Sequence, residues 1–304
     1  MQKLCRQELI SFVQESEAVI KKHDKSRPLF LYLAFMALHA PLVGLPPKKY
    51  RKQFSRNAGK DKFEESPHEI RDMVLASVDE AVHKVIRALK TSGLYENSII
   101  LVTTDNGGGP WYSNTPLKGT KETLYEGGIR AASFLLSPLL QNTGFRYQGL
   151  LHLADWTPTL LSLAGVDDGP GDDSGVGLDV WDSLNNNQSI SRMIIHNIDE
   201  EQSQGGWQAS ATRDKYKLIW GQDMLLKRIR KTPSTKVQLF DVLKDPTESE
   251  NIASIRSDVV QDMKNQIIKA KHESFEPADY PDLDKRGWPV NFDGIISSGW
   301  CESH

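Results

Sequence analysis

Two oxygen-bearing side chains, Asp105 and Asn106, follow the apolar and β-branched run at residues 98–104 and precede three glycines. A run of this kind predicts a buried strand of a parallel sheet, and open α/β sheets bind their ligands at the carboxyl ends of such strands. Carboxylate and amide oxygens suit hard cations such as Ca²⁺ and Mg²⁺. The pattern therefore predicts a metal site, although Asp-Asn-Gly-Gly by itself is more often an ordinary turn.

A lysine close to these glycines is a candidate for holding an anion. Lys121 lies in a Gly-x-Lys segment, and a second glycine turn, Tyr-Glu-Gly-Gly at 125–128, comes shortly before the apolar run 131–136. Lys118 stands three residues earlier and is a nearby alternative. The residues alone leave the choice between the two lysines open.

A histidine follows another apolar run. His39 comes after residues 28–36, which predict a second buried strand, and the prolines at positions 41, 46 and 47 indicate a rigid loop and not a helix start. A single histidine at a strand end is more often structural than functional. His39 is therefore a weak candidate on its own.

The combination of these segments resembles the sulfatases, and most closely the arylsulfatase B, I and J group. In that family the strand-end Asp-Asn pair binds calcium, the lysine of Gly-x-Lys binds the sulfate, and the histidine of His-x-Pro acts on the sulfate ester. The resemblance implies that Asp105 and Asn106 are ligands of one Ca²⁺ ion. It also implies that His39 and Lys121 are catalytic and substrate-binding residues, and it favours Lys121 over Lys118.

Two later segments extend the resemblance. Residues 155–159 (Asp-Trp-Thr-Pro-Thr) are similar to a helix that follows the site in sulfatases, and we interpret Asp155 and the preceding His152 as capping and packing groups. Residues 239–252 are similar to the family's C-terminal segment with Asp-Pro-x-Glu. Its acidic side chains predict turn and cap chemistry and not a metal site.

The sequence also departs from the family pattern. It contains no Cys-x-Pro-x-Arg motif, whose cysteine becomes the formylglycine nucleophile of sulfatases: neither Cys5 nor Cys301 has that context. The Asp-Asp pair that completes the calcium shell is missing too. We therefore expect a partial chain of a sulfuric ester hydrolase, truncated on its N-terminal side and without its nucleophile. The alternatives are an inactive short form that binds sulfated glycans or a protein partner, and a phosphoryl-transfer relative.

Composition restricts the remaining classes. The 304 residues carry 37 basic and 40 acidic groups, for a net charge of −3, which is no nucleic-acid signature. No apolar run approaches the roughly 20 residues that span a bilayer. Asn187 begins a glycosylation sequon, and the resemblance implies a lysosomal or secreted protein whose substrate is a sulfated carbohydrate or an aryl sulfate. The first residues show no signal peptide.

The predicted elements are helix 8–22, strand 28–36, helix 67–89, strand 98–104, strand 131–136, helix 155–165, short strands at 192–197, 208–212, 215–220 and 237–240, and helix 254–272. Strands 28–36 and 98–104 should run parallel in a βαβ unit. The fold class is α/β, an alkaline-phosphatase-like, mostly parallel sheet sandwiched by helices, with a smaller C-terminal antiparallel sheet plus helix. Residues 1–166 belong to the catalytic domain, 167–177 are a linker, and 178–304 form the smaller subdomain.

One expectation concerns exposure. If strands that flank residues 28–36 are missing, the strand should present an unpaired edge and apolar surface. We expect apolar side chains among Leu29, Leu31, Leu33 and Phe35, or their partners in 98–104, to be unusually solvent-exposed for a central strand.

Overall fold

A computed structural model of the chain describes residues 4–39, 48–54, 66–109, 112–166, 177–201, 206–222 and 235–273. The chain divides into two compact units, Met1–Lys264 and Asn265–His304. Of the second unit, only the end of a helix is described, so the architecture below is that of the first. The predicted linker lies almost entirely outside the described residues, and the domain boundaries remain predictions.

The helices are α1 (Leu4–Lys22), α2 (Lys48–Phe54), α3 (Pro67–Thr91), α4 (Glu126–Ile129), α5 (Trp156–Leu163), α6 (Trp181–Asn185) and α7 (Ser257–Glu273), with 3₁₀ turns at Tyr95–Asn97 and Leu153–Asp155. The strands are β1 (Ile100–Thr103), β2 (Ser133–Leu136), β3 (Met193–Glu201), β4 (Gly206–Arg213), β5 (Tyr216–Gln222) and β6 (Thr235–Asp241). Among the helices within the described ranges, none has the length and apolar character of a transmembrane helix.

Helix α3 confirms its prediction and shows why it starts where it does. The Ser66 hydroxyl accepts a hydrogen bond from the Glu69 backbone N–H, and the Glu69 carboxylate accepts one from the Ser66 N–H. This capping box satisfies two of the free N–H groups at the helix start, and Pro67 fits the first position because it has no N–H to satisfy. The buried side chains of α3 include Met73, Ser77 and Ala81 on one face, which packs against α1.

Within the described ranges, the predicted strand 28–36 pairs with no other strand. Its residues are extended and alternate in exposure, but no backbone ladder joins them to another described residue. The side chains expected to be exposed (Leu29, Leu31, Leu33, Phe35) are partly buried, and the opposite face (Phe30, Tyr32, Met36) is exposed. The phenyl ring of Phe35 contacts that of Phe12 on α1 edge to face, with the ring centroids 6.5 Å apart. An exposed apolar surface is therefore present, but it is formed by Phe30, Tyr32 and Met36 and not by the four residues expected to form it.

Strand β1 pairs with β2, and the pairing is antiparallel. The predicted parallel βαβ pairing of 28–36 with 98–104 is therefore wrong for the described residues. The physical reason is that alternating exposure specifies which face a side chain occupies, whereas the partner and direction of a strand depend on the rest of the chain. The mixed α/β class with a C-terminal antiparallel sheet is confirmed.

The C-terminal sheet is a regular meander in the order β3-β4-β5-β6, with every neighbouring pair antiparallel. It confirms the four short strands predicted after residue 190 and lengthens each of them. Successive residues of β5, from Lys217 to Ile219, are all buried, so both faces of this strand are covered. The first turns of α7 contribute buried Val259, Val260 and Met263.

Candidate functional site

Two glycine-rich segments interlock beyond the end of β1. We call residues 105–109 the first glycine loop and residues 118–128 the second. The N–H of Gly107 donates to the carbonyl of Gly128 at 2.9 Å, and the N–H of Lys121 donates to the carbonyl of Gly108 at 2.9 Å. A β-carbon on Gly107 would lie 1.9 Å from the carbonyl oxygen of Gly127. No larger residue fits there, because the two backbones are in direct contact.

Asn114 joins the same two loops, and sequence reasoning missed it. Its Oδ1 accepts from the N–H of Gly108 at 2.9 Å, and its Nδ2 donates to the carbonyls of Gly108 at 2.9 Å and Gly119 at 3.1 Å. Three backbone groups are thus satisfied by one amide side chain. The chain between the loops reads as an ordinary polar turn, so no signal in the sequence marked this residue.

His39 and Lys121 lie side by side although 82 positions separate them: His39 Nε2 is 3.4 Å from Lys121 Nζ. Leu38, the residue before His39, is attached to the segment between the glycine loops, since the Tyr112 hydroxyl donates to the Leu38 carbonyl at 3.3 Å. We call residues 37–39 the histidine loop. Both nitrogens can therefore face one small anion at the end of the sheet. This is the arrangement expected for groups that hold the same substrate.

Lys118 is oriented differently. Its Nζ donates to the backbone carbonyl of Glu248 at 3.3 Å and lies 4.2 Å from the centre of the Tyr125 ring. Its ammonium is thus engaged by a carbonyl and an aromatic face. Of the two lysines, Lys121 is the one that the structure places beside His39.

Asp105 and Asn106 follow β1 as predicted. Asp105 is exposed and Asn106 is partly buried, and the chain just before them is fixed by Thr104, which exchanges two hydrogen bonds of 2.9 Å with Ala132. Their oxygens fit the donor chemistry of Ca²⁺, but calcium takes six to eight oxygens and two side chains supply only part of that shell. Within the described ranges, no cluster of three or more His, Cys, Asp or Glu side chains is arranged to hold a metal.

A buried ionic cluster lies behind the second glycine loop. Lys217 on β5 is fully buried, and its Nζ lies 3.1 Å from Glu126 Oε1 and 2.8 Å from Glu248 Oε1. The contact with Glu248 has the distance of an ion pair without the alignment of a hydrogen bond. Glu248 Oε2 accepts from the Glu126 N–H at 2.7 Å. Burial raises the pKa of Glu248, and Lys217 opposes that shift.

The two acidic segments that we interpreted as turns and caps have larger roles than predicted. Asp245 does close a turn, because its carboxylate accepts from the N–H groups of Ser249 and Glu250. Glu248 in the same segment, however, is a buried partner of Lys217. Asp155 makes no side-chain cap on α5, but the predicted capping role of His152 and Asp155 is confirmed at the 3₁₀ turn Leu153–Asp155. There the Asp155 carboxylate accepts from the His152 N–H at 2.7 Å, and His152 Nδ1 accepts from the Ala154 N–H at 3.2 Å.

Asp155 is also fully buried and bridges distant parts of the chain. Its carboxylate accepts from the N–H of Leu178 at 3.0 Å and from the Arg192 guanidinium at 2.7 Å. The interpretation as a local cap was therefore too narrow. The packing role, in contrast to a catalytic one, is the reading that these contacts support.

A cleft of about 530 Å³ lies elsewhere in the first unit, lined by residues of the β4–β5 turn and of α7 that include Arg213, Tyr216 and Arg256. None of the predicted site residues lines it. Its arginines are already engaged, Arg213 by Asp262 and Arg256 by Asp258. The candidate site is the open end of β1 and not this cleft.

Comparisons with known proteins agree with the motifs. A family model described as Sulfatase matches residues 8–166. Arylsulfatase J of Mus musculus is 32% identical, and the match covers 95% of this chain and 52% of that protein. The chain therefore spans about half the length of this curated relative.

Solved structures show the same fold. Ps i-CgsB in complex with k-i-k-neocarrahexaose superposes with a TM-score of 0.74 at 23% identity, covering 90% of this chain and 57% of the other. The PsFucS1 sulfatase from Pseudoalteromonas sp. gives a TM-score of 0.67 at 21% identity, covering 93% of this chain and 55% of the other. These likenesses confirm the alkaline-phosphatase-like fold.

Proposed function

We propose, from the premise that this chain belongs to the sulfatase family, that it supplies the sulfate-binding part of a calcium-dependent sulfuric ester hydrolase. The observation that carries the proposal is the pair His39–Lys121, with 3.4 Å between their side-chain nitrogens, at the glycine loops that follow Asp105 and Asn106. A cation, a proton donor and metal-binding oxygens are the groups that such a site requires.

The chemistry of a sulfate ester explains each role. As the S–O bond to the alcohol breaks, negative charge moves onto the leaving oxygen while the sulfuryl oxygens stay anionic. The Lys121 ammonium would neutralise those oxygens, and His39 would give a proton to the departing alcohol. Interactions that strengthen as the charge moves are the ones that accelerate the reaction.

Asp105 and Asn106 would hold the calcium ion. The bound ion supplies positive charge to the sulfate oxygens. The remaining oxygens of the shell would have to come from residues beyond these two. The position of both side chains at the carboxyl end of β1 supports this assignment.

The 304 residues contain no Cys-x-Pro-x-Arg motif, so nothing in this sequence matches the family's nucleophile. Sulfur cannot be attacked efficiently without an activated nucleophile. We therefore expect this chain alone to bind sulfate and aryl sulfates without turning them over. The second candidate is a non-enzymatic form that binds sulfated glycans or a protein partner.

The test is binding of inorganic sulfate and of 4-nitrocatechol sulfate by isothermal titration calorimetry, with Ca²⁺ and with EDTA. Wild-type chain should bind both, more weakly in EDTA, and Lys121→Met should lose at least tenfold in affinity. The matched control is Lys118→Met, which removes the neighbouring lysine and should keep most of the affinity. Binding that depends on Lys118 and not on Lys121 would contradict the site.

Turnover distinguishes the two candidate functions from an unexpected third. Hydrolysis of 4-nitrocatechol sulfate by the chain, abolished in His39→Ala, would show a nucleophile outside the sulfatase pattern. Restored hydrolysis on co-expression with a segment that carries Cys-x-Pro-x-Arg, dependent on Lys121, would support the enzyme. Sulfated-glycan binding with no restored hydrolysis would support the non-enzymatic form.

We also propose that the protein is lysosomal or secreted and glycosylated at Asn187. Asn187 is exposed in the turn after α6, where its side chain is accessible to a transferase. N-linked glycosylation and a secretory route go together, so one experiment addresses both. A mobility shift after peptide-N-glycosidase treatment of protein from cells, lost in Asn187→Gln, is the expected result.

A further inference from the structure

The Glu126–Lys217–Glu248 cluster is unusual for the inside of a protein. The side chains of Lys217 and Glu248 are fully buried, and that of Glu126 is 11% exposed. Removing charges from water costs more than the pairing returns in many proteins, and apolar replacements are then as stable. Net stability is therefore a poor explanation for this cluster, and its location offers a better one.

The cluster joins the C-terminal sheet to the turn that begins α4. Lys217 comes from β5 and Glu248 from the turn after β6, while Glu126 is the first residue of α4. The contacts bridge 91 positions of sequence between Lys217 and Glu126, and 122 between Glu248 and Glu126. They fix both the side chain and the backbone N–H of Glu126 to a rigid sheet.

A short path of hydrogen bonds leads from Glu126 to the site. The next residue, Gly127, donates its N–H to the carbonyl of Lys118 at 2.7 Å, which closes the second glycine loop. The carbonyl of Gly128 then accepts from Gly107, the residue after Asn106. Each contact is backbone to backbone, so a displaced α4 displaces both loops.

The path reaches Lys121 as well. The second glycine loop holds Lys121, whose own N–H is bonded to the carbonyl of Gly108 in the first loop. The interlocked glycines leave no room for one loop to shift without the other, because a β-carbon at Gly107 in the first loop would lie 1.9 Å from the Gly127 carbonyl oxygen in the second. The geometry of the two loops is therefore set together.

We propose that Glu126, Lys217 and Glu248 are positioning residues that hold both glycine loops, and through them Lys121 and the Asp105–Asn106 pair, in the geometry that binds a sulfate group. The inference rests on the proposed function for the identity of the ligand. Binding sites of this kind need their groups within about 0.5 Å of the productive geometry. An ionic cluster supplies direction that an apolar contact lacks, since the Lys217 ammonium donates to Glu126 Oε1 and Glu248 Oε2 accepts from the Glu126 N–H.

The decisive variant keeps the shape of the cluster and removes its charges: Glu126→Gln/Lys217→Met/Glu248→Gln. It leaves no buried charge unpaired, so we expect it to fold with a melting temperature close to that of the wild type. Lys217→Met alone leaves two buried carboxylates without their ammonium and is expected to be much less stable. The triple variant therefore separates positioning from folding.

Two measurements follow the loops directly. Amide hydrogen exchange should accelerate at least tenfold at Gly107, Lys121 and Gly127 in the triple variant, while amides of β4 and β5 keep wild-type protection. Affinity for inorganic sulfate in the presence of Ca²⁺ should fall at least tenfold. The single variant Lys217→Arg keeps a cation in place. Its loop amide exchange and its sulfate affinity should therefore lie between those of the wild type and those of the triple variant.

The matched control is Lys215→Met. Lys215 is two residues away on the same hairpin, and its partly exposed side chain pairs with Asp241 and not with the glycine loops. We expect this variant to bind sulfate and exchange its loop amides like the wild type. A loss equal to that of the triple variant would mean that the sheet as a whole, and not the cluster, controls the site.

The outcomes separate the two proposals. Wild-type protein that binds no sulfate, with loops that still loosen in the triple variant, refutes the proposed function and supports the positioning role. A folded triple variant with wild-type sulfate affinity and wild-type exchange at the three loop amides overturns the positioning role and leaves the proposed function standing.

Discussion

Two extended segments of this chain that are rich in apolar residues, residues 28–36 and strand β5, have opposite environments. β5 is hydrogen-bonded to β4 on one side and β6 on the other, and its Leu218 is 0% exposed. Residues 28–36 have no ladder to any described residue, and Phe30 and Tyr32 are each 79% exposed. Both segments have an extended backbone. Within the described residues, only β5 is hydrogen-bonded to neighbouring strands.

The difference shows which property of a strand its own residues determine. Alternating or continuous apolar residues favour an extended backbone and choose the faces of the side chains. Burial comes from the strands beside it, because backbone N–H and C=O groups need partners before apolar surface can be covered. β5 finds its partners in the strands that come directly before and after it in the chain, as strands of a meander do.

The candidate site is built from both kinds of segment. Lys121 and Asn106 lie on loops that are fixed to the C-terminal sheet through Glu126. His39 lies at the end of residues 28–36, and its loop is bonded to the rest of the chain by the hydrogen bond from Tyr112 to the Leu38 carbonyl. The two halves of the site are therefore attached to different parts of the chain.

The largest expected effect compares two phenylalanines. Phe240 on β6 is 2% exposed and packs with Ile219 and Tyr125, whereas Phe30 is 79% exposed. Phe240→Ala should lower the free energy of unfolding by about 3–5 kcal/mol, the usual cost of removing a buried ring. Phe30→Ala should change it by less than about 0.5 kcal/mol. Urea unfolding followed by circular dichroism measures both.

Equal losses in the two variants would break the comparison, because they would mean that residues 28–36 are as well packed in solution as the C-terminal sheet. Leu243→Ala offers a control on the sheet side, since this exposed residue follows β6 and should also cost little.

Local signals in the sequence were sufficient for much of the fold. Helix α3 was predicted to within two residues because Pro67 and the glycine at 93 mark its limits and its apolar positions recur every three to four residues. The C-terminal strands were predicted because short apolar runs alternate with turn residues. Both patterns involve residues that are close together in the chain, the first within one helix and the second within one hairpin. Each can therefore be recognised from a short stretch of sequence.

The remainder depends on residues far apart in the chain. The Glu126–Lys217–Glu248 cluster was not predicted, since Glu248 is an ordinary turn residue by its neighbours and acquires its role from a lysine in another strand. Asp155 is similar, with a guanidinium partner 37 positions away. His39 and Lys121 were chosen through a family resemblance, and the structure places them together; their chemical roles remain predictions.

The second prediction uses pH to test the packed side. Burial, followed by the charges of Lys217 and His152, lowers the pKa of His196 to about 3, and its ring forms a 2.7 Å hydrogen bond with the Thr212 hydroxyl. Between pH 6.5 and 3 the unfolded chain binds a proton on this residue that the folded chain does not. The free energy of unfolding should therefore decrease as the pH is lowered through that window. This one group can account for as much as about 1.4 kcal/mol per pH unit.

The measurement is urea unfolding between pH 7 and 4 for wild type and His196→Gln. The side chain keeps some solvent contact, so we expect a slope below the full value. The variant should show a shallower loss of stability as the solution is acidified. Identical slopes in the two proteins would show that His196 accepts a proton in the folded state and is not shielded by the sheet.

The third prediction concerns the half of the site that holds His39. Tyr112→Phe removes the hydroxyl that binds the Leu38 carbonyl and leaves the ring in place. The lost hydrogen bond should cost about 1 kcal/mol or less in global stability. Because His39 follows Leu38 directly, sulfate affinity should fall several-fold, and a larger loss in Tyr112→Phe than in the matched Tyr147→Phe would locate the effect at the histidine loop.

Tyr147 is a suitable comparison because its hydroxyl is bonded to Ser183 and to the Gln188 carbonyl, away from His39 and Lys121. Its variant loses hydrogen bonds of the same kind without touching the site. If both variants reduce affinity alike, the site responds to general loosening and the proposed division into two halves is incorrect.

The smallest effect on stability, and the sharpest test of the unpaired side, comes from the exposed face of residues 28–36. Phe30→Thr/Tyr32→Thr introduces β-branched residues, which favour an extended backbone as the aromatic residues do, while removing two large exposed rings. The melting temperature should stay within about 2 °C of the wild type, since neither ring is buried. Binding of the dye ANS should fall and solubility should rise, because exposed apolar surface beside unpaired backbone groups promotes association. Unchanged ANS binding together with a large drop in melting temperature would mean that these rings are covered in solution, and the contrast between the two segments would then disappear.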